Sequence, residues 1–253
     1  EIPYAPQPNQ FEQYYRNGLN YSNTLMVSHG SESGGVSASL SRLNTRAIVP
    51  GSDYDRTTVN VGFTQQVASR YNISGNVNYS HEDRDNPPNI AEQHYSPVVI
   101  YTLPTSMPMS FLEEMATTED GNERLWSRFT NRTNPYFALT RFENNIRDRI
   151  FGNITGRVDL TPWLYAQGRI GQDFYSRDQE YNLPTGSTRQ APAPPGFVNG
   201  QYVQDQLRFR EINADFLVGG SGAYGLVGMA ANVGGNLMRR KSERNNVLVQ
   251  DFF

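Results

Sequence analysis

The sequence predicts an all-β chain whose strands pair antiparallel into a transmembrane β-barrel. Three observations carry that reading: polar and apolar side chains alternate at period two, the alternating runs are long, and the connections are sorted by length. From Tyr71 to His81, one face carries Tyr71, Ile73, Gly75, Val77 and Tyr79, and the other carries Asn72, Ser74, Asn76, Asn78 and Ser80. Successive side chains of a strand point to opposite faces, so such a run is a strand with one apolar side.

The elements follow in order. Strands are predicted at 24–29, 36–43 and 56–67, the last with Val59, Val61 and Phe63 against Asn60, Thr64 and Gln66. The run from Tyr71 is the fourth. In the fifth, 147–160, Ile150, Gly152, Ile154, Gly156, Val158 and Leu160 oppose Arg147, Arg149, Asn153, Thr155, Arg157 and Asp159, with Phe151 as the one intruder. In the sixth, 163–177, Leu164, Ala166, Gly168, Ile170 and Phe174 oppose Gln167, Arg169, Asp173 and Arg177. Two more strands fall at about 206–219 and 223–239.

Short connections at 31–35, 68–70, 161–162 and 220–223 alternate with a medium one at 45–55 and long ones at 82–146 and 180–205. A membrane meander sorts its connections this way, with short turns on one side and long loops on the other. Tilted membrane strands need about 9–11 residues, more than the usual globular strand. Tyr71, Tyr79, Trp163, Phe174 and Tyr175 fall near predicted strand ends, where an aromatic girdle would lie.

The polar face suits a wet interior. Asn76, Asn78, Asn153, Arg157, Arg169 and Asp173 are therefore the candidate lumen-facing residues, with Ile150, Ile154, Val158, Leu164 and Ile170 expected against lipid. No window approaches the roughly 18–20 apolar residues of a membrane-spanning helix. The N-terminus shows no basic or apolar signal-peptide region.

Composition narrows the function classes. An apolar content of 37% and a mean hydropathy of -0.63 argue against a large dry core, while 12% aromatics argue against disorder. Cysteine is absent, which removes disulfides, thiol catalysis and cysteine-type zinc sites. The three histidines, His29, His81 and His94, are too scattered for a metal set or a triad. No catalytic, cofactor or metal site is expected, and a net charge of -3 gives no case for nucleic acid.

Four local motifs stand out. Pro108–Met115 reads as a short helix capped by Ser110, with Glu113 completing a capping-box pattern. Residues 191–196 are a stiff Pro-rich stretch. Gly220 to Gly225 spells G-x-G-x-x-G, but Gly228, Gly234 and Gly235 follow where a dinucleotide fold needs a helix, so it reads as a hairpin turn. Glu82 to Asn86 is an acidic cluster without EF-hand spacing, and reads as a solvated loop start.

Several stretches resemble one family. Ile48-Val49-Pro50-Gly51-Ser52-Asp53-Tyr54-Asp55-Arg56 resembles an external turn of the SusC/RagA-type TonB-dependent transporters of Bacteroidetes, and Ser28 to Glu32 is similar to that family's first tight turn. Asn134-Pro135-Tyr136, Arg147-Asp148-Arg149, Thr161-Pro162-Trp163-Leu164 and Arg169 to Asp173 occur in the family's order. Ala47 departs from the pattern, which has Gly before Ile-Val-Pro.

The resemblance implies a large barrel in the cell outer membrane, in contact with lipid, that imports oligosaccharides or oligopeptides. It implies a SusD-like surface lipoprotein as a lid and TonB as the energy source. Residues 1–253 are then a segment of about eight strands from a barrel of about 22. The plug, the TonB-binding part and the signal peptide are expected outside the segment, and 82–146 and 180–205 are expected to be extracellular. The alternatives are a siderophore-type transporter or passive porin without that lipoprotein. An extracellular β-sandwich for adhesion or carbohydrate binding would instead bury the aliphatic faces.

Overall fold

The computed structural model describes residues 5–87, 96–125, 133–188 and 196–251. Its strands are β1 (Leu19–Ser31), β2 (Gly34–Arg46), β3 (Asp53–Val67), β4 (Tyr71–Asp85), β5 (Glu143–Thr161), β6 (Leu164–Leu183), β7 (Gln201–Tyr224) and β8 (Val227–Gln250). They form one sheet in chain order, each antiparallel to the next, with β1 and β8 as its two edges. The sheet is not closed. Four short helices, α1 (Gln10–Tyr14), α2 (Ser96–Tyr101), α3 (Met109–Glu114) and α4 (Pro135–Ala138), lie outside it.

All eight expected strands are present, and most run further than their alternation. β4 continues through Asp85 and β5 starts at Glu143, so the connection read at 82–146 is shorter. Backbone pairing persists there although both faces have become polar: Asp85 still pairs with Asn144. Likewise β6 reaches Leu183 and β7 starts at Gln201, which narrows the connection at 180–205.

One turn moves. The ladder runs unbroken from Gly220↔Ala231 to Tyr224↔Val227, so 220–223 is strand and the reversal falls at Gly225-Leu226. Gly225 has φ +60, which a residue without a Cβ adopts at no steric cost, whereas Gly220 and Gly222 pair normally. At 161–162 the ladder closes on Thr161↔Leu164, leaving Pro162-Trp163 as the turn.

The main cluster of buried apolar residues does not lie on the sheet, and among the described strand residues only Val203 on β7 is a buried apolar one. Tyr14, Val99, Ile100, Leu103, Met109 and Leu112 form a small core, with Tyr15, Met107 and Tyr136 packed against it. All belong to the segment before β1 or to the β4–β5 connection. This crown stands at the end of the sheet opposite the short turns, because in a meander alternate connections fall at opposite ends. The expected helix at 108–115 is present as α3. Its N-cap is Pro108 without a side-chain hydrogen bond, so Ser110 lies inside the helix and the capping box does not form. The Pro-rich stretch at 191–195 lies outside the described residues.

Candidate functional site: a polar sheet face beneath a folded crown

Register fixes which side chains share a face, since residues directly opposite in a ladder point the same way. One row of the polar face runs Ser39, Asn60, Asn78, Phe151, Asp173, Glu211 and Arg240 from β2 to β8. The adjacent row contains Asn76, Asn153, Gly171 and Asn213. Arg169 lies opposite Thr155 and Asp215, and Arg157 opposite Asn72 and Gln167. All six residues singled out in the sequence therefore share the polar face.

Most of them are tied to neighbours. The Asn153 amide donates to Asn76 Oδ1 at 2.6 Å. Arg149 grips Asp173 with two parallel bonds, Nε at 2.9 Å and Nη2 at 2.6 Å. Arg169 Nε donates to Asp215 at 2.7 Å, and the Asn236 amide reaches the same carboxylate. Arg157 pairs with Asp159, Nε to Oδ1 at 3.0 Å, while its guanidinium sits 3.9 Å from the ring centre of Tyr165. Phe151, the apolar intruder, is explained by the same logic: the Arg149 guanidinium lies 4.7 Å from its ring centre.

The sequence reading missed the other half of this network. Glu82 accepts from Arg147 at 2.7 Å, and Glu211 from Arg240 at 2.9 Å. Asp205, only 5% exposed, is clamped by Arg177 and Arg244, both at 2.6 Å. Charges of both signs on one period-two face were the available signal, but which charges meet depends on register. The half-exposed pairs contribute about 0–1 kcal/mol each, whereas Glu82 and Asp205 are buried and held by their arginines, and together they make a rigid polar lining. Glu82 belongs to this lining, and the acidic cluster alternates across both faces of β4 through Asp85. Among the described residues no group of three His, Cys, Asp or Glu could hold a metal ion.

The opposite face is apolar and uncovered. Val36, Phe63, Gly75, Ile154, Ile170, Ala214 and Leu237 form one continuous row across it. Ile154 is 59% exposed, Ile170 64% and Leu237 75%. Ile150, Val158 and Leu164 stand on the same side. Trp163 is exposed at its turn, as the girdle reading expects, but Tyr175 stacks on Phe209 at 5.0 Å on the polar face, one residue out of phase with Phe174.

The crown is a folded unit. Arg16 anchors the N-terminal segment to the β2–β3 turn through the Ala47 and Ser52 carbonyls at 2.8 and 2.7 Å and Asp53 at 2.5 Å. Gly51 takes φ +75 in that turn. Asn134 caps α4 by accepting from the Tyr136 N–H at 2.9 Å, with Pro135 in the first turn, while its amide donates to the Leu112 carbonyl at 2.9 Å. Burial, then the neighbouring Tyr101, raises the pKa of Tyr15, and burial followed by Glu113 raises that of Tyr136. Phe11 and Tyr101 meet edge-to-face at 5.4 Å and remain exposed.

An open antiparallel meander with one polar face, one apolar face and its connections sorted to opposite ends is the fold of a β-barrel segment. Solved structures of the RagAB peptide importer contain it. A chain of the "closed-closed" state matches with a TM-score of 0.71 at 12% identity, over 96% of this chain and 27% of that one. A chain of the "open-open" state gives 0.71 at 12% identity over 94% and 26%, and one of the RagAB peptide transporter 0.73 at 11% over 99% and 28%. The likeness is one of fold, and this chain spans about a quarter of the length of those it matches. No protein-family model and no curated protein matches the sequence.

Proposed function

We propose that this chain is part of a TonB-dependent importer of the outer membrane that carries oligopeptides or oligosaccharides together with a SusD-like lipoprotein. One observation carries the reading: the apolar face is continuous and uncovered, whereas the chain's buried apolar core lies in the crown. Burying a Leu, Ile or Val side chain is worth about 1.5–3 kcal/mol, so a face of many such residues requires a nonaqueous neighbour. Lipid supplies it. The likeness in fold to chains of a peptide importer supports the same assignment and favours peptides within it.

On this reading the polar face lines the lumen, the short turns are periplasmic, and the crown, built from the described parts of the segment before β1 and of the β4–β5 and β6–β7 connections, is extracellular. Asn76, Asn78, Asn153, Arg157, Arg169 and Asp173 offer amide, guanidinium and carboxylate groups to a passing backbone or sugar. No nucleophile is needed, because import breaks no bond of the cargo. The crown's exposed aromatics are the natural seat of the lipoprotein lid.

Uptake of labelled oligopeptides by intact cells tests this. Uptake is expected to require TonB and the lipoprotein, to fall when 96–125 is deleted while the barrel still assembles, and to proceed without cleavage of the cargo. Uptake that persists without TonB and without the lipoprotein would mark a passive pore.

A further inference from the structure

The apolar face changes character abruptly on β7 and β8. From Val227 to Leu237 on β8, and from Gly222 to Ala214 on β7, it carries only apolar or small residues. Ten strand positions at about 3.3 Å, tilted as barrel strands are, rise about 25 Å, the height of an outward apolar band. The next pairs on that face are Ile212 with Arg239, Arg210 with Lys241, and Arg208 with Glu243. The four cations are exposed, and Glu243, paired with Lys241 at 2.5 Å, is the single carboxylate of this face on β7 and β8. On β3 to β6 the same face ends differently, in Asp55, Asp83, Asp148 and Asp178. On β2 the same face carries Arg42 and Arg46, with Arg42 paired to Asp55 at 2.9 Å, so four cations come together only on β7 and β8.

Resting on the membrane reading above, we infer that Arg208, Arg210, Arg239 and Lys241 form a binding site for the phosphate groups of outer-leaflet lipid. Their position selects lipid over a protein lid. They stand sideways, flush with the end of the apolar band, and both strands continue beyond them to Gln201 and Gln250. Guanidinium forks match phosphate oxygens, and basic residues beside an anionic lipid surface add to the attraction.

The test uses the full-length, delipidated protein in non-ionic detergent, titrated with bis-phosphorylated lipid A and followed by native mass spectrometry. The variant R208Q/R210Q/R239Q/K241Q is expected to bind about tenfold more weakly than wild type, and R210Q/K241Q to fall between. Arg240→Gln, on the opposite face, should bind as wild type does. Lipid A stripped of phosphate should bind wild type as weakly as the quadruple variant binds the intact lipid, and inorganic phosphate should compete only at high concentration. Equal binding by wild type and the quadruple variant, equal binding of the stripped lipid, or patch-dependent self-association in its place would overturn the inference. Recovery of the wild-type protein in the aqueous fraction would overturn the membrane reading and this inference with it. A protein that stays in the membrane fraction but ignores phosphorylated lipid would overturn the patch alone.

Discussion

Glu123 and Thr188, 65 residues apart on different connections, are joined directly: the Thr188 N–H donates to Glu123 Oε2 at 2.7 Å. The other carboxylate oxygen accepts from the Asn134 N–H at 3.1 Å, and the Glu123 N–H donates to the Gly186 carbonyl at 2.8 Å. Arg141 lies 3.7 Å away and balances the charge, which is 2% exposed. One buried side chain therefore binds the β4–β5 and β6–β7 connections into a single crown.

Removing that carboxylate should uncouple them. Glu123→Ala leaves two buried N–H groups without an acceptor, at a cost of about 1–3 kcal/mol each. Amide exchange at 186–188 and around Asn134 should accelerate at least tenfold, while exchange in β4 to β7 stays unchanged. Faster exchange throughout the sheet would show that the crown also holds the strands.

The two faces should respond differently to charge. Ile154→Arg or Ile170→Arg places a cation on the apolar face and is expected to cost about 2–4 kcal/mol in a bilayer, read from unfolding in lipid vesicles. Asn153→Arg, one position away, should cost less than about 1 kcal/mol. Equal penalties would mean that both faces meet the same environment.

Alkaline pH should loosen the crown before the sheet. Tyr15 and Tyr136 have pKa values raised above the ordinary 10.0, so folding favours their neutral forms. Their contribution is complete below the unfolded value and is lost as pH rises through the folded one. Phenolate absorbance and crown exchange rates should rise together above pH 10, and Tyr136→Phe should blunt the change. An unaltered response in that variant would contradict the assignment.

The proposed function puts the crown outside the cell. Tags inserted in 96–125 or 184–200 should be reachable on intact cells, and tags in the turns at 32–33, 68–70 and 225–226 only after permeabilisation.

Strand number and order were legible in the alternation, because period two needs only local sequence. Strand ends were less so. Polar residues on both faces of Glu82–Asp85 resemble a loop, yet cross-strand pairing continues through them. The Gly220–Gly225 run misplaced a turn because composition marks permissive positions, whereas only Gly225 takes the positive φ that the reversal uses. The six polar-face residues were readable for the same reason as the strands. Their partners Arg149 and Asp215, like the Glu123 lock, were not, since these depend on register and on contacts between distant segments.

The central claim is that the sheet separates lipid from water. These 253 residues contain no cysteine, and any cysteine elsewhere in the assembled protein is first replaced by serine so that single cysteines report without background. Cysteines at 153 and 169 should react with a water-soluble maleimide in the assembled outer-membrane protein. Those at 154 and 170 should resist it and yield only to a lipid-phase reagent. Aqueous labelling of 154 and 170, with 153 and 169 protected, would contradict the account.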